Sequence, residues 1–213
     1  TLKNDSYIGG ISGSGGNENW YFKNCDNHGN ITIAAQQTAG SGIYGGLFAS
    51  TKGESIISCH NYGKIEVSGN TSGDDLIVGG VIAYLTAATA VTGDRVKDCT
   101  NSGTITISAE EVKAPSVAGV IGYYNATTAN QIVTECVNKA EGTVSLSSTC
   151  TGVSVVGGVA GSIKAHHITK CKNYAAVTCA GSATSTLTVA GTIAYHNGAL
   201  ADATISECEN YGV

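Results

Sequence analysis

Asp98-Cys99-Thr100-Asn101-Ser102-Gly103-Thr104-Ile105-Thr106-Ile107 decides the fold, because its pattern, Cys-x-Asn followed by an alternating apolar strand, returns along the whole chain. Cysteine fills the first position at Cys25, Cys59, Cys99, Cys136, Cys171 and Cys208, at intervals of 34, 40, 37, 35 and 37 residues. Asparagine stands two residues after each, at Asn27, Asn61, Asn101, Asn138, Asn173 and Asn210. A second marker precedes it in every unit, an apolar residue and a small pair: Ile8-Gly9-Gly10, Tyr44-Gly45-Gly46, Val78-Gly79-Gly80, Val117-Ala118-Gly119, Val156-Gly157-Gly158 and Val189-Ala190-Gly191. Two markers in fixed order at a fixed period describe one supersecondary unit repeated, each burying its apolar face on its neighbours.

The period alone overlaps with ankyrin and tetratricopeptide units of roughly 33 and 34 residues. Composition separates them: the chain is only 13% charged and carries 29 glycines, whereas helical repeats need Leu, Ala, Glu and Lys at a 3.6-residue spacing. The local alternation has period two. Asn30-Ile31-Thr32-Ile33, Lys64-Ile65-Glu66-Val67, Thr104-Ile105-Thr106-Ile107 and Thr143-Val144-Ser145-Leu146 each point two aliphatics one way and polar residues the other.

Each unit reads as three short strands. The first holds the small pair, as in Gly80-Val81-Ile82-Ala83; the second runs into the cysteine; the third is the alternating strand. Three strands per unit and no helical segment predict an all-β chain, a parallel β-helix of about six three-stranded rungs, as a single domain over residues 1–213. Stacking puts each repeat position in a column. The asparagines are expected to bond rung to rung at a bend, and Gly29, Gly63, Gly103 and Gly212 to supply a left-handed turn after them. The fourth unit departs with Lys139-Ala140-Glu141-Gly142 and the fifth with Tyr174-Ala175-Ala176, so a different turn is expected there.

The repeats resemble a known family. Gly-Gly-aliphatic-x-small, then an aliphatic shortly before Asn/Asp/Ser-Cys-x-Asn-x-Gly and an alternating strand, is similar to the GLUG-type repeats of bacterial surface proteins, especially large ones of gut Bacteroidetes. The resemblance covers nearly the whole chain. It implies a right-handed β-solenoid in an exported, surface-attached protein, with adhesion or carbohydrate contact as its role and no catalytic motif.

The net charge of −5, with 11 basic residues scattered singly, argues against a nucleic-acid partner. No apolar run approaches the roughly 20 residues that span a bilayer, so this segment is not expected to insert in a membrane. The absence of Met, and a sixth unit that stops before its third strand, suggest a piece of a longer chain whose neighbouring repeats would continue the stack.

The six column cysteines are expected to be buried free thiols, with Cys150 and Cys179 the pair to join if any disulfide forms. No spacing matches a metal site, and His166-His167 is read as a surface turn; no cofactor or metal is expected. Asp74-Asp75, Asp94-Arg95 and Glu110-Glu111 are the acidic candidates for a polysaccharide lyase or hydrolase, but they share no column and are read as solvated loop charge. The ligand-binding candidates are aromatic. Tyr62, Tyr174 and Tyr211 follow the asparagine, where His28 also sits, and Tyr84, Tyr123 and Tyr195 follow the small residue of the first strand. Recurring on several rungs, exposed tyrosines would form platforms for sugar rings or a host or bacterial surface protein. Trp20-Tyr21 is a further aromatic candidate at one end. The expectation is a non-enzymatic adhesion or display scaffold at the cell surface or outside the cell, with a purely structural adhesin segment and a polysaccharide-active enzyme as the alternatives.

Overall fold

A computed structural model describes residues 2–15, 20–52, 55–86, 93–125, 131–197 and 202–212. The described residues are all β, without helix, and their strands stack in parallel as a β-solenoid of about five turns. The third repeat shows the path of one turn. Leu76–Gly79 belongs to the first sheet, Ile82–Thr86 to the second, Gly93–Lys97 to the third, Thr100–Asn101 to the fourth and Ile105–Ile107 to the fifth. Glu111–Val112 then pairs with Thr149–Cys150 in a small sixth sheet. Every pairing is between equivalent strands of successive repeats, so like residues fall in register: Ile31, Ile65, Ile105, Val144 and Val177 form one line.

Five strand positions per turn replace the expected three. Gly80-Val81-Ile82-Ala83 is not one strand, because Gly80 and Val81 form a bend between the first-sheet strand that ends at Gly79 and the second-sheet strand that begins at Ile82. Likewise the strand before the cysteine ends at Lys97, and a two-residue strand carries the asparagine in a sheet of its own. The corner between them is made by the residue just before the cysteine. Asn24, Ser58, Asp98, Glu135, Lys170 and Glu207 all adopt left-handed backbone, with φ between 51° and 57°. That turn directs the cysteine inward, where its thiol donates to the carbonyl two residues back, at 3.4 Å for both Cys59 and Cys99.

Left-handed backbone was expected instead at the glycines after the asparagine. Among described glycines only Gly40 and Gly93 have it. Gly63 and Gly103 are required by space: a Cβ on either would collide with the carbonyl oxygen of the equivalent glycine one turn earlier. Ala175 fills this position in the fifth repeat, above a fourth turn that takes 6 residues from Asn138 to Val144 where the third takes 4 from Asn101 to Ile105.

The interior is divided into two lobes. Ile56, Ile82, Val96, Cys99, Val120 and their equivalents fill one, between the second and third sheets. Ile65, Val78, Ile105, Val112, Val117 and Leu146 fill the other, between the first and fifth. Burying each such aliphatic contributes about 1.5–3 kcal/mol. At the waist between the lobes the two sequence markers meet. Asn27 Nδ2 donates to Asn61 Oδ1 at 2.9 Å, and the same bond continues from Asn61 to Asn101, Asn138, Asn173 and Asn210 at 2.8 to 3.0 Å. The second amide hydrogen caps the turn, as from Asn101 to the Gly103 carbonyl at 2.8 Å. Against this ladder lies the second residue of each small pair, glycine in all six repeats. A Cβ on Gly80 would stand 2.5 Å from Asn101 Cγ and nearer still to the Gly119 carbonyl oxygen, so close approach rather than backbone conformation demands glycine there.

Candidate functional site

Because the chain bends at the small pairs, the outer faces of the first and second sheets meet in a concave angle running along the coil. The first sheet contributes the row Tyr7, Ile43, Ile77, Ser116, Val155 and Thr188, two residues before each small pair. The second contributes Ser14, Ser50, Tyr84, Tyr123, Ser162 and Tyr195. In the earlier turns the angle is closed by Ile43, Ala49, Ile77 and Ala83 packing together under Tyr84 and Tyr123. From the third turn onward it opens into a groove of about 590 Å³, lined by Tyr84, Tyr123, Ser162, Val155, Thr188 and Tyr195, with Asp75 at one end. That volume falls within the roughly 300–1,000 Å³ of small-molecule sites.

Tyr84 and Tyr123 stack with centroids 5.3 Å apart and planes 13° apart, a consequence of sitting in register on consecutive turns. Partial burial and the neighbouring Tyr123 push the Tyr84 phenol up from its ordinary value, so it stays protonated and able to donate. Asp75 remains solvent-exposed, yet partial desolvation and then repulsion from Asp74 raise its carboxyl, and Lys113 holds it down in part. The Ser116 hydroxyl is committed to the Gly122 carbonyl at 2.7 Å. Among the groove-lining residues Asp75 carries the only carboxylate, and no lysine or arginine lines it.

The structure separates the six candidate tyrosines. Tyr84, Tyr123 and Tyr195 share the groove. Tyr62, Tyr174 and Tyr211 lie on the turns after the asparagine strand, in two stacked pairs: His28 with Tyr62 at 4.6 Å and Tyr174 with Tyr211 at 5.0 Å, their planes nearly parallel. Ser102 and Lys139 interrupt that column between the pairs. Trp20 is exposed on the first turn, its ring against Phe22 at 6.2 Å. Sequence reasoning missed the first-sheet row, whose signal is its recurrence two residues before every small pair.

The other candidates are dispersed. Asp94 pairs with Lys97 at 3.0 Å within the strand Gly93–Lys97, both only partly exposed and with Arg95 between them fully buried, so this pair is not solvated loop charge; Asp74 approaches Lys113 at 3.8 Å, both more exposed. All eight cysteines, Cys150 and Cys179 included, are unpaired. Contact with adjacent thiols and burial push Cys136 above the ordinary thiol range. His166 is buried rather than on a surface turn, because only three residues link Ile163 to the strand His167–Thr169 and the chain crosses tightly from the second sheet to the third. His60 and His167 are tied through Nδ1 to Thr100 and Thr204, each at 2.8 Å. Among the described residues no three His, Cys, Asp or Glu side chains converge as metal ligands. Comparison of the chain with protein-family models, curated proteins and solved structures finds no match in any of the three.

Proposed function

We propose that this chain is a non-catalytic, surface-displayed β-solenoid that holds a glycan in the groove between its first and second sheets. The observation that carries this is the row of Tyr84, Tyr123 and Tyr195 along one wall of a groove with hydroxyls and one carboxylate. Aromatic walls with nearby hydroxyls suit the apolar faces and polar edges of sugar rings. Glycoside hydrolysis ordinarily needs two carboxylates within about 5–9.5 Å of each other. Asp75 is the one carboxylate of the groove lining; its neighbour Asp74 lies outside that lining and approaches Lys113 at 3.8 Å, and the segments 87–92, 126–130 and 198–201 contribute none by sequence. Six copies of both markers support a coil of six rungs, and the strong preference of parallel crossovers for one hand supports a right-handed one. Membership among GLUG-type repeats, and with it a place at the cell surface, rests on the repeat pattern itself.

A second role, a spacer within a longer stack, is favoured by the uncovered apolar side chains of both end turns: Ile8 and Ile11 at one, Val189 and Ile205 at the other. Native electrophoresis through gels containing single polysaccharides tests the glycan role. Tyr84→Ser and Tyr123→Ser introduce the residue that the same row carries at Ser14, Ser50 and Ser162. Retardation abolished by these changes and unaffected by Tyr62→Ser or Tyr174→Ser is the expected outcome. Absence of retardation in every gel would overturn it, and release of reducing ends from the polysaccharide would overturn the non-catalytic assignment.

A further inference from the structure

The outer row of the second sheet has an internal gap. Tyr84 and Tyr123 occupy consecutive turns and cover each other, so the faces between them are closed to a ligand. Ser162 takes the next place, and Tyr195 follows one turn later. The stack is therefore one ring short, and both Tyr123 and Tyr195 border the cavity where that ring is missing. At a rung spacing of about 4.8 Å the two tyrosines are separated along the coil by about 10 Å.

That separation selects the thickness of what lies between them. A flat aromatic ring in van der Waals contact with both sides needs only about 7–8 Å, twice the optimal carbon–carbon distance, and would sit loosely. A saturated, puckered ring with hydrogens on both faces is thicker and comes closer to filling the space. Val155 provides an apolar floor in the adjacent sheet, and the hydroxyls of Ser162 and Thr188 line the same cavity. The electrostatics select further. The lining holds no cation, Asp75 is its only carboxylate, and the whole chain carries a net charge of −5, so a uronate or sulfated sugar would enter against like charge with nothing to pair it.

We propose that the gap at Ser162 is a subsite for one neutral pyranose ring of a polysaccharide, held between Tyr123 and Tyr195 over Val155. This rests on the glycan role proposed above and makes it specific in place and in chemical class.

Ser162→Tyr tests it by completing the stack with the residue that the row already carries one turn to either side. Ser162→Ala is the control that leaves the gap open. The intact protein and each variant are run through native gels containing dextran, a mixed-linkage β-glucan, galactomannan or xyloglucan as neutral probes, and polygalacturonate or heparin as charged ones. Expected are retardation by at least one neutral probe and none by the charged probes. Ser162→Tyr should weaken that retardation about tenfold or more, equivalent to about 1.4 kcal/mol, with Ser162→Ala close to wild type and the melting temperature of Ser162→Tyr undiminished. Should Ser162→Tyr melt early, Tyr195→Ser reads the same clamp from its exposed side and should weaken binding as much. Wild-type binding by Ser162→Tyr, alongside loss in Tyr84→Ser or Tyr123→Ser, would remove the subsite and leave the groove. Retardation by the charged probes alone would overturn the assignment to neutral sugars, and retardation by none of the six would overturn subsite and glycan role together.

Discussion

Replacing Asn101 by alanine measures what the amide ladder contributes to the waist of the coil. Asn101 is fully buried; it donates to the Gly103 carbonyl at 2.8 Å and to Asn138 Oδ1 at 3.0 Å, and accepts from Asn61 Nδ2 at 2.8 Å. Alanine removes all three bonds and leaves their partners facing a space closed to water. Each buried group deprived of its partner costs about 1–3 kcal/mol. Three such groups come to roughly 3–9 kcal/mol before the hole left by the amide is counted, a large part of the 5–15 kcal/mol that ordinarily stabilises a domain. Asn210 occupies the same motif position but is exposed, donating to Gly212 at 3.2 Å and accepting from Asn173 at 2.8 Å. Water can replace both partners there, so Asn210→Ala should cost under about 1 kcal/mol. Urea unfolding followed by far-ultraviolet circular dichroism compares the variants. Because stacked repeats can open in parts, amide exchange across residues 98–105 should accompany it. Equal losses in the two variants, or a loss below about 1 kcal/mol for Asn101→Ala, would refute the ladder as a source of stability and reduce the amides to space filling.

Gly80→Ala should cost upwards of about 3 kcal/mol by forcing a methyl group into the Asn101 amide and the Gly119 carbonyl. Ala118→Gly, at the pair position that already varies, should cost only about 1 kcal/mol, and thermal melts of both variants check the contrast. Glu135 holds φ at 57°, so Glu135→Gly should stabilise by up to about 1 kcal/mol after the greater freedom of the unfolded glycine is subtracted. Glu135→Val should destabilise by more than about 1 kcal/mol, and denaturant midpoints of the pair report it. Asp75, though exposed, has its folded-state pKa raised by partial desolvation and by Asp74, so its small contribution to stability is present below the unfolded pKa and lost as pH rises through the folded one. Asp75→Asn should therefore melt above wild type at pH 7, with the difference closing below about pH 4; melts across that range decide the sign.

The columns were legible because each marker does one physical job at one place. Cys99 and Asn101 recur two residues apart because one faces a lobe and the other the waist, and no loop can intervene between them. The strand count was not legible. Thr100–Asn101 is too short for alternation to register, and the bend at Gly80-Val81 falls inside a run that reads as continuous β. Left-handed backbone at Asp98 and Glu135 also carried no signal, since the six residues at that position share neither size nor charge. For the groove, Tyr84, Tyr123 and Tyr195 were visible as a recurring set, yet nothing in their spacing distinguished them from Tyr62, Tyr174 and Tyr211. The distinction comes from the concave angle, and that angle depends on glycines meeting asparagines about twenty residues distant in sequence, as Gly80 meets Asn101.

Successive cysteines are 34 to 40 residues apart, yet the asparagines and the small pairs stay aligned from turn to turn, because added residues are taken up in loops and in a bulge between Asp94 and Val96. The outer row of the second sheet inherits that alignment while its polar and aromatic side chains point away from both lobes. Serine and tyrosine already interchange along it without altering the turns that carry them. The coil is thus a ruler graduated at about 4.8 Å, with one rewritable mark per turn, and a linear polymer lying along it meets those marks in sequence.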